Sequence, residues 1–235
     1  MRSVQNLLQQ GLRSYGLDES RSDALIRFAE LLLEKNKVMN LTAITQPADV
    51  AQLHLLDCAA VLTMAELKDK TVVDVGTGAG FPGMPLQILE PTAKCTLLDS
   101  LGKRISFLQE VCDELQLPHT RCIHARAEEY ARDHREKFDF ATSRAVAALN
   151  VLCELALPMV KVGGAFLAMK SVDSDEELRT AKSAIAQLGG TVESVQDYTI
   201  PGTDIVHRLV TIRKVKPTPS SFPRAFARIK KNPLI

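Results

Sequence analysis

The chain has 235 residues, of which 46% are hydrophobic and 24% are charged. This composition is typical of one or two globular domains and excludes a wholly disordered chain. No apolar run approaches the roughly 20 residues that span a bilayer, and the N-terminal sequence MRSVQNLLQQGLRS lacks the apolar core of a signal peptide. We therefore expect a soluble, cytoplasmic protein without membrane association.

The net charge of +1 hides an uneven distribution of charge. Residues 211–235 carry seven Lys and Arg side chains and no Asp or Glu, whereas residues 1–210 carry 22 basic and 28 acidic side chains. This asymmetry suggests a polyanionic partner. A basic tail that only improves solubility fits the charge pattern equally well.

The cysteines and histidines form no pattern that is typical of a disulfide framework or a metal site. The five cysteines include no C-x-x-C pair, and the five histidines include no H-x-x-x-H or H-E-x-x-H spacing. We therefore predict neither disulfide bonds nor a bound metal.

The segment ahead of the first predicted strand is expected to be helical. Apolar residues from Leu25 to Leu33 recur on one face of a helix that Ser20 or Ser22 caps, and residues 49–62 predict another helix. These helices are too short to form an independent core, so we expect them to pack against the sheet that follows.

From residue 71 onward, strand and helix signals alternate along the chain. Helical stretches such as 102–116 and 173–188 separate the strands, as in βαβ units around a mainly parallel sheet. Only the turn 201–204 joins the last two strands; it is too short for a crossover and predicts an antiparallel hairpin. The predicted strands are 71–75, 95–98, 120–124, 138–142, 165–169, 191–200 and 205–213.

We expect the whole chain, residues 1–235, to form a single α/β domain. Pro217, Pro219 and Pro223 are expected to break any regular structure in the basic tail. The expected parts are an N-terminal helical extension (1–68), a core (69–214) and a basic C-terminal tail (215–235).

The first predicted strand runs into a glycine-rich loop, TVVDVGTGAGFPG (71–83). Gly76, Gly78 and Gly80 form a G-x-G-x-G pattern, and such glycines let a ligand lie directly against the backbone. The dinucleotide fingerprint G-x-G-x-x-G needs a third glycine where Phe81 stands, which disfavours a ligand with a pyrophosphate. S-Adenosylmethionine has an adenosine and an amino-acid end but no pyrophosphate, and it fits this pattern.

Two acidic residues end neighbouring predicted strands. Asp99 follows the second strand, 21 residues after Gly78, a separation at which an acidic side chain accepts the hydroxyl groups of a bound ribose. Asp74, at the end of the first strand, is placed to meet the cationic amino group of the methionine moiety. The alternative is a glycine turn that serves only packing, with Asp99 capping the next helix.

Seven blocks of the sequence match the pattern of one family. They are N-L-T (40–42), H-L-L-D (54–57), D-V-G-T-G-A-G-F-P-G-M-P-L (74–86), L-L-D-S-L-G-K-R-I-S-F-L (97–108), R-A-E-E (126–129), S-R-A-V-A (143–147) and F-P-R…K-K-N-P-L (222–234). With these blocks the chain resembles, nearly end to end, the bacterial 16S ribosomal RNA guanine-N7 methyltransferases, also called glucose-inhibited division protein B.

The resemblance implies a fold, a cofactor and a reaction. The implied fold is the Rossmann-like, seven-stranded class I methyltransferase sheet with its last strand antiparallel, and the implied cofactor is S-adenosyl-L-methionine. The implied reaction is N7-methylation of guanine 527 in the 530 loop of 16S rRNA. The partner would be the small ribosomal subunit or its assembly intermediate, and we expect the enzyme to be a monomer.

The resemblance also implies site residues by position. Asp99 would bind the ribose, Ala127 and Glu128 would lie by the adenine, and Arg144 would close the site. The pocket residues carried over in this way are Gly76, Phe81, Asp99, Ala127, Glu128 and Arg144. The pattern of the first strand and the glycine loop adds Asp74 and Gly78 as predicted cofactor contacts.

The chemistry of guanine N7 agrees with the resemblance. N7 has a lone pair and no proton, so its methylation depends on alignment and on control of charge rather than on a general base. An Arg or Lys hydrogen-bonded to O6 would hold the base and leave N7 free. Arg144 and Lys170 are the catalytic candidates, and a surface salt bridge is the alternative for each.

The basic tail is predicted to pair with RNA phosphates. Phe222 and Phe226 either stack on an RNA base or fold back on the body of the protein. Two rival functions stay open, a small-molecule methyltransferase and a non-catalytic RNA-binding protein with a methyltransferase fold. The predicted RNA contacts are Arg208 in the hairpin and Arg224, Arg228, Lys230 and Lys231 in the tail.

Overall fold

The structure is a computed structural model that describes residues 2–144 and 146–235. Within this part of the chain, seven strands form one sheet. The strands are β1 (Thr71–Val75), β2 (Lys94–Asp99), β3 (Thr120–His124), β4 (Phe138–Arg144), β5 (Val160–Ser171), β6 (Gly190–Thr199) and β7 (Val206–Lys214). Their order is β3-β2-β1-β4-β5-β7-β6, and β7 runs antiparallel to both of its neighbours. The predicted α/β sheet with an antiparallel last strand is confirmed.

Helices precede the sheet and lie between its strands. In the predicted helical segment 49–62, a π-helical turn, Ala51–Leu56, lies between two α-helical pieces, and a 3-10 turn, Ala60–Thr63, follows. The α-helices of the described residues are α1 (Arg2–Ser14), α2 (Ser22–Met39), α3 (Pro47–Val50), α4 (Asp57–Ala59), α5 (Gly83–Leu89), α6 (Gly102–Glu114), α7 (Ala127–Asp133), α8 (Leu149–Ala156), α9 (Asp175–Gln187) and α10 (Phe226–Lys231).

The strand order creates a switch point between β1 and β4. β1 pairs in parallel with β2 on one side and with β4 on the other, so the chain leaves β1 towards β2 and β3 and returns on the opposite side. Ligands of open α/β sheets bind outside the carboxyl ends of the strands at such a point. The glycine loop follows β1 there, and the flanking strands β2 and β4 end in Asp99 and Arg144.

The N-terminal helices pack against the sheet, as the sequence analysis predicted. Leu12 of α1, Phe28 of α2 and Leu108 of α6 are fully buried in one apolar cluster, and burying each such side chain contributes about 2 kcal/mol. The ring of Phe28 lies 5.5 Å from that of Phe81 in the glycine loop, measured between centroids. The helical extension therefore supports the loop, while the proposed division of the chain into three parts remains a prediction.

Strand β5 is longer than the predicted strand 165–169 because it begins before a double glycine. Gly163 has a φ of 89°, in the left-handed region that favours glycine. A Cβ at Gly164 would lie 2.3 Å from the carbonyl oxygen of Asp139 on β4. The two glycines let the strand approach β4 closely across a register shift. A pair of glycines in the sequence is more typical of a turn, which explains the shorter prediction.

The basic tail folds back on the body of the protein. Thr218 Oγ1 donates a hydrogen bond of 2.7 Å to the carbonyl of Leu188, and Arg135 donates one of 2.5 Å to the carbonyl of Phe222. The expectation that the tail lacks regular structure is wrong for residues 226–231, which form α10. Proline disfavours a helix at and just before its own position, and α10 begins after the last of the three tail prolines named above.

Two absences hold for residues 2–144 and 146–235. No helix in these ranges has both the length and the apolar character that crossing a membrane requires. These ranges also contain no group of three or more His, Cys, Asp and Glu side chains that could hold a metal ion.

Candidate cofactor and substrate site

A cavity of about 510 Å³ lies at the carboxyl ends of β1, β2, β3 and β4. This volume is within the range of sites that bind small molecules and cofactors. His54, from the N-terminal extension, and Phe226, from the tail, also line it. Among the predicted site residues, the cavity brings together Gly76, Gly78, Phe81, Asp99, Ala127, Glu128 and Arg144.

The glycine loop forms one wall of the cavity with bare backbone. Gly76 and Gly78 have φ values of 71° and 60°, which favour glycine. A Cβ at Gly76 would lie 2.9 Å from a methyl carbon of Val146. A Cβ at Gly78 would meet only the carbonyl oxygen of Gly76, at 3.9 Å, and would otherwise occupy open space. A side chain at either position would therefore strain the backbone, and at position 78 it would fill part of the cavity.

Asp99 lines the cavity at the end of β2 and keeps capacity to accept further hydrogen bonds. Its Oδ2 accepts a hydrogen bond of 2.9 Å from the Gly78 backbone N–H and lies 3.5 Å from Nη1 of Arg104, and its Oδ1 accepts one of 2.9 Å from the Leu101 N–H. The residue is only 5% exposed. A carboxylate has about four lone-pair sites, so Oδ1 keeps one acceptor position for a hydroxyl group of a ligand.

Asp74 lies beneath the glycine loop. Its Oδ2 accepts hydrogen bonds from Thr77 Oγ1 at 2.6 Å and from the backbone N–H of Gly83, the first residue of α5, at 2.8 Å. Burial raises the pKa of Asp74 to about 6. Asp74 is not among the described residues that line the cavity. The structure gives it a position that supports the loop, and its contact with the methionine amino group stays a prediction.

Ala127 and Glu128 line the cavity where α7 begins. Glu128 is 5% exposed, and its Oε1 accepts a hydrogen bond of 2.6 Å from Nε of Arg126. The guanidinium carbon of Arg126 lies 5.1 Å from the ring centroid of Phe226. Phe226 and Phe222 both pack against the apolar core. Of the two alternatives for these aromatic residues, the structure shows the one in which they fold back on the body.

Arg144, at the end of β4, is held in one orientation by several acceptors. Its Nη1 donates to Asp57 Oδ2 at 2.8 Å and to the Leu53 carbonyl at 3.2 Å. Its Nη2 donates to His54 Nδ1 at 3.0 Å. The guanidinium carbon lies 4.7 Å from the ring centroid of Phe81, a cation–π contact. The side chain that the resemblance assigned to closing the site thus lines the cavity in a fixed position.

His54 contacts both Arg144 and Phe81, and its ring stacks on Phe81 with 4.4 Å between centroids. Burial, together with the charge of Arg144, lowers the pKa of His54 to about 4, so the imidazole is neutral at pH 7. A guanidinium can only donate hydrogen bonds, so Nδ1 of His54 accepts from Arg144, and the Leu53 carbonyl oxygen, 3.1 Å from Nδ1, is a close contact without a shared proton. The proton is therefore on Nε2, which donates to Thr42 Oγ1 at 2.8 Å.

Asp57 connects the N-terminal extension, β4 and the β6–β7 hairpin. While its Oδ2 binds Arg144, its Oδ1 accepts hydrogen bonds from Tyr198 Oη at 2.8 Å and from His207 Nδ1 at 2.7 Å. Of these residues, only Arg144 is predicted from the sequence to have a role. The signal was present in the blocks N-L-T and H-L-L-D, which contain Thr42, His54 and Asp57.

The partners of Asp57 keep its carboxylate ionised inside the protein. Burial acts to raise the pKa of Asp57, but the hydrogen bond from His207 and the charge of Arg144 outweigh this effect, and the pKa lies below its ordinary value. The hydrogen bond to Asp57 in turn raises the pKa of His207. A buried carboxylate with two basic partners is a stable arrangement only while both partners remain.

Lys170 and Arg208 face each other across strands β5 and β7. Lys170 Nζ lies 2.7 Å from Glu177 Oε1, and Arg208 binds Asp197 at 2.6 Å and Asp175 at 2.5 Å. Neither residue is among the described residues that line the cavity. The structure thus does not bring Lys170 to Arg144 at the cavity. The catalytic contact predicted for Lys170 and the RNA contact predicted for Arg208 stay predictions. Each side chain already binds acidic residues of the protein, and these would compete with RNA.

The predicted RNA contacts of the tail fall into two groups. Arg224 binds Glu154 with Nε–Oε1 and Nη2–Oε2 distances of 2.7 and 2.6 Å, and Glu154 is fully buried. Arg228, Lys230 and Lys231 are exposed on α10, and within the described part of the chain no ion pair involves them. Arg224 therefore fastens the tail to the body, and the cations of α10 face solvent.

Comparison with known proteins identifies the family. A sequence model described as rRNA small subunit methyltransferase G matches residues 21–206 of this chain. The chain belongs to this family. The matched range contains the glycine loop, Asp99 and Arg144, and it ends before the tail.

Full-length relatives of the rRNA small subunit methyltransferase G family extend the match beyond that range. The chain is 44% identical over 233 residues to ribosomal RNA small subunit methyltransferase G of Alkaliphilus metalliredigens, covering 97% of this chain and 98% of the relative. It is 45% identical over 236 residues to the protein of the same name from Alkaliphilus oremlandii, covering 98% and 99% of the two chains.

Solved structures share the fold of this family member at low sequence identity. TrmN from Thermus thermophilus matches with a TM-score of 0.54 and 19% identity, over 68% of this chain and 49% of TrmN. TYW2 from M. jannaschii, solved in complex with AdoMet, matches with a TM-score of 0.56 and 12% identity, over 70% and 77% of the two chains. These likenesses show the Rossmann-like class I methyltransferase fold that the sequence resemblance implied.

Proposed function

We propose that this chain transfers a methyl group from S-adenosylmethionine to 16S rRNA, and specifically to N7 of guanine 527 in the 530 loop. The supporting observation is that one cavity joins the bare glycine loop, Asp99 and the fixed guanidinium of Arg144. The family to which the chain belongs supports the methyl-transfer reaction. The resemblance described above supplies the position of the target base.

The side chains around the cavity suit this cofactor. Asp99 Oδ1 has an unused acceptor position for a ribose hydroxyl, and Ala127 and Glu128 offer a surface for the adenine. Asp74 already accepts the N–H of Gly83 at the start of α5, so that helix end is not free to bind a pyrophosphate. When bound, S-adenosylmethionine supplies an electrophilic methyl group, and the chain's task is to hold it in line with the acceptor atom.

The polar groups beside the cavity suit guanine N7 as the acceptor. N7 carries no proton, and the neutral His54 already donates its Nε2 proton to Thr42. Arg144, held by Asp57 and His54, is suited to donate a hydrogen bond to O6 of guanine, which would fix the ring and leave N7 free. This proposal assigns no contact with the reacting atoms to Lys170, whose ammonium binds Glu177.

The exposed cations of α10 lie on the element whose first residue, Phe226, lines the cavity. RNA phosphates bound there would bring a nucleotide close to Arg144 by electrostatic attraction that carries no sequence information. We propose 16S rRNA, in the small subunit or an assembly intermediate, as the partner of a monomeric, cytoplasmic enzyme.

The test is transfer of labelled methyl groups to small ribosomal subunits that lack this modification, followed by mapping of the labelled nucleotide. We expect one N7-methylguanine in the 530 loop, and no transfer to subunits that already carry it. Asp99→Ala should reduce transfer because it weakens cofactor binding, whereas Asp113→Ala, an exposed position on α6, should not.

The same experiment separates the rival functions. Cofactor binding without any transfer to subunits or to their assembly intermediates would contradict the rRNA substrate and favour a small-molecule methyltransferase. RNA binding without measurable cofactor binding would instead favour a non-catalytic RNA-binding protein.

A further inference from the structure

Phe226 of the C-terminal tail forms part of the cavity wall. It lines the cavity beside Arg126, Ala127 and Glu128, which border the region expected to hold the adenine. The guanidinium carbon of Arg126 lies 5.1 Å from the Phe226 ring centroid and restrains the ring at this place. An aromatic side chain in such a position offers a flat apolar surface to a purine.

Helix α10 has two faces with different chemistry. Phe226 packs against the body together with Ile229, which is fully buried and lies three residues further along the same helix. Arg228, Lys230 and Lys231 are exposed on the remaining positions. One short helix therefore contacts the cavity on one side and presents three positive charges to solvent on the other.

The tail is fastened to the body on both sides of α10. Before the helix, Arg224 forms its bidentate ion pair with the buried Glu154. After the helix, Asn150 Nδ2 donates a hydrogen bond of 2.8 Å to the carbonyl of Leu234. Glu154 and Asn150 both belong to α8, so α10 is held against this helix. Helix α8 also contributes Leu155 to the cavity.

We propose that α10 is a shared wall, in which Phe226 covers the adenine end of the cofactor cavity and the three cations on the outer face bind RNA phosphate. The RNA half of this statement rests on the function proposed above. RNA bound to these cations adds to the contacts that hold α10 and so further stabilises the wall that the cofactor contacts. By thermodynamic linkage, a cofactor that holds Phe226 in place favours RNA binding by the same factor.

The first test is S-adenosylmethionine binding to the isolated full-length chain, measured by calorimetry without RNA. Phe226→Ala should weaken the affinity about ten-fold, since base–aromatic stacking is worth about 1–3 kcal/mol and about 1.4 kcal/mol corresponds to ten-fold. Phe226→Leu should retain more of the affinity for S-adenosylmethionine, because an apolar surface remains. A circular dichroism melt of each variant shows whether the rest of the fold keeps its stability.

The matched control changes the three exposed cations of the same helix. The triple variant Arg228→Gln, Lys230→Gln, Lys231→Gln should bind S-adenosylmethionine as tightly as the unmodified chain when RNA is absent. It should also lose the increase in cofactor affinity that an RNA fragment of the 530 loop produces in the unmodified chain. Retention of that increase by the triple variant would overturn the shared wall.

Failure of this inference is distinguishable from failure of the proposed function. If Phe226→Ala binds S-adenosylmethionine as tightly as the unmodified chain, the wall is wrong, even where methyl transfer to the subunit is observed. If no RNA is methylated but Phe226→Ala still loses cofactor affinity, the cofactor half of the wall stands and the RNA substrate is wrong.

Discussion

Asp57 Oδ2 and Arg144 Nη1 lie 2.8 Å apart, and their ion pair fixes a guanidinium that lines the cavity. The side chain of Asp57 is 1% exposed and that of Arg144 is 15% exposed. Asp57 belongs to the N-terminal helical segment and Arg144 to the end of β4, so the extension contributes directly to the candidate site. The orientation of Arg144 thus depends on a carboxylate that, among the described residues, does not itself line the cavity.

Asp57→Asn should lower the free energy of unfolding by about 3–5 kcal/mol, because it leaves buried positive charge without its partner. Urea unfolding measures this loss. Methyl transfer should fall more than affinity for S-adenosylmethionine, since Arg144 loses its fixed position while Asp99 and the glycine loop keep theirs. Asp49→Asn, at an exposed position on α3, should change the stability by less than about 0.5 kcal/mol. Equal stability of the two variants would contradict the role given to Asp57.

His207→Gln should make the stability depend differently on pH. The hydrogen bond to Asp57 raises the pKa of His207 above its ordinary value of 6.5. A raised pKa in the folded state means that protonated His207 stabilises the fold fully below about pH 6.5 and that this contribution is lost as the pH rises through the folded-state pKa. The difference in unfolding free energy between the unmodified chain and the variant should therefore be larger at pH 5.5 than at pH 9. If the difference in unfolding free energy instead grows with pH, protonated His207 does not stabilise the fold through Asp57.

The sequence could predict the part of the site that is local along the chain. Gly76, Gly78 and Asp99 each follow directly from a buried strand, and parallel strands end at the same edge of a sheet, so their meeting follows from the alternation of strands and helices. The antiparallel pairing of β6 with β7 also followed, because the connection between them is too short for a crossover.

The polar cluster around Asp57 could not be predicted in the same way. Its members are distant in sequence, and 150 positions separate Asp57 from His207. Their contact depends on how the N-terminal extension packs on the sheet. The apolar pattern shows which face of each helix packs against the sheet, but not which residues of the sheet that face meets. The π-helical turn Ala51–Leu56, which ends next to Asp57, has no signal in that pattern either.

Charge counting also could not separate the two kinds of cation in the tail. Arg224 and Arg228 are identical in type and only four positions apart, yet Arg224 binds a fully buried glutamate and Arg228 is exposed. What distinguishes them is Glu154 on α8, whose position relative to the tail is a property of the tertiary structure.

Arg224→Gln should therefore act on stability rather than on electrostatic attraction to RNA. Removing the guanidinium leaves the buried charge of Glu154 without a cationic partner, with only the backbone N–H of residue 224 still donating to it, and this should cost about 3 kcal/mol. Thermal unfolding measures the loss. Arg224→Gln combined with Glu154→Gln should recover much of it, because the paired amides leave no buried charge. If the single variant melts at the same temperature as the unmodified chain, Arg224 does not fasten the tail.

Replacing Arg228, Lys230 and Lys231 by glutamine should weaken RNA binding and also make it less sensitive to salt. Each phosphate contact to single-stranded RNA contributes about 0.7 to the slope of log affinity against log salt concentration, so loss of three contacts should reduce that slope by about 2. Filter binding of a 530-loop RNA fragment at several salt concentrations measures it. Neutralising Lys182, an exposed lysine on α9, is the matched control and should leave the slope unchanged. An unchanged slope in the triple variant would mean that the phosphates bind elsewhere, because exposed cations that contact RNA must release counterions.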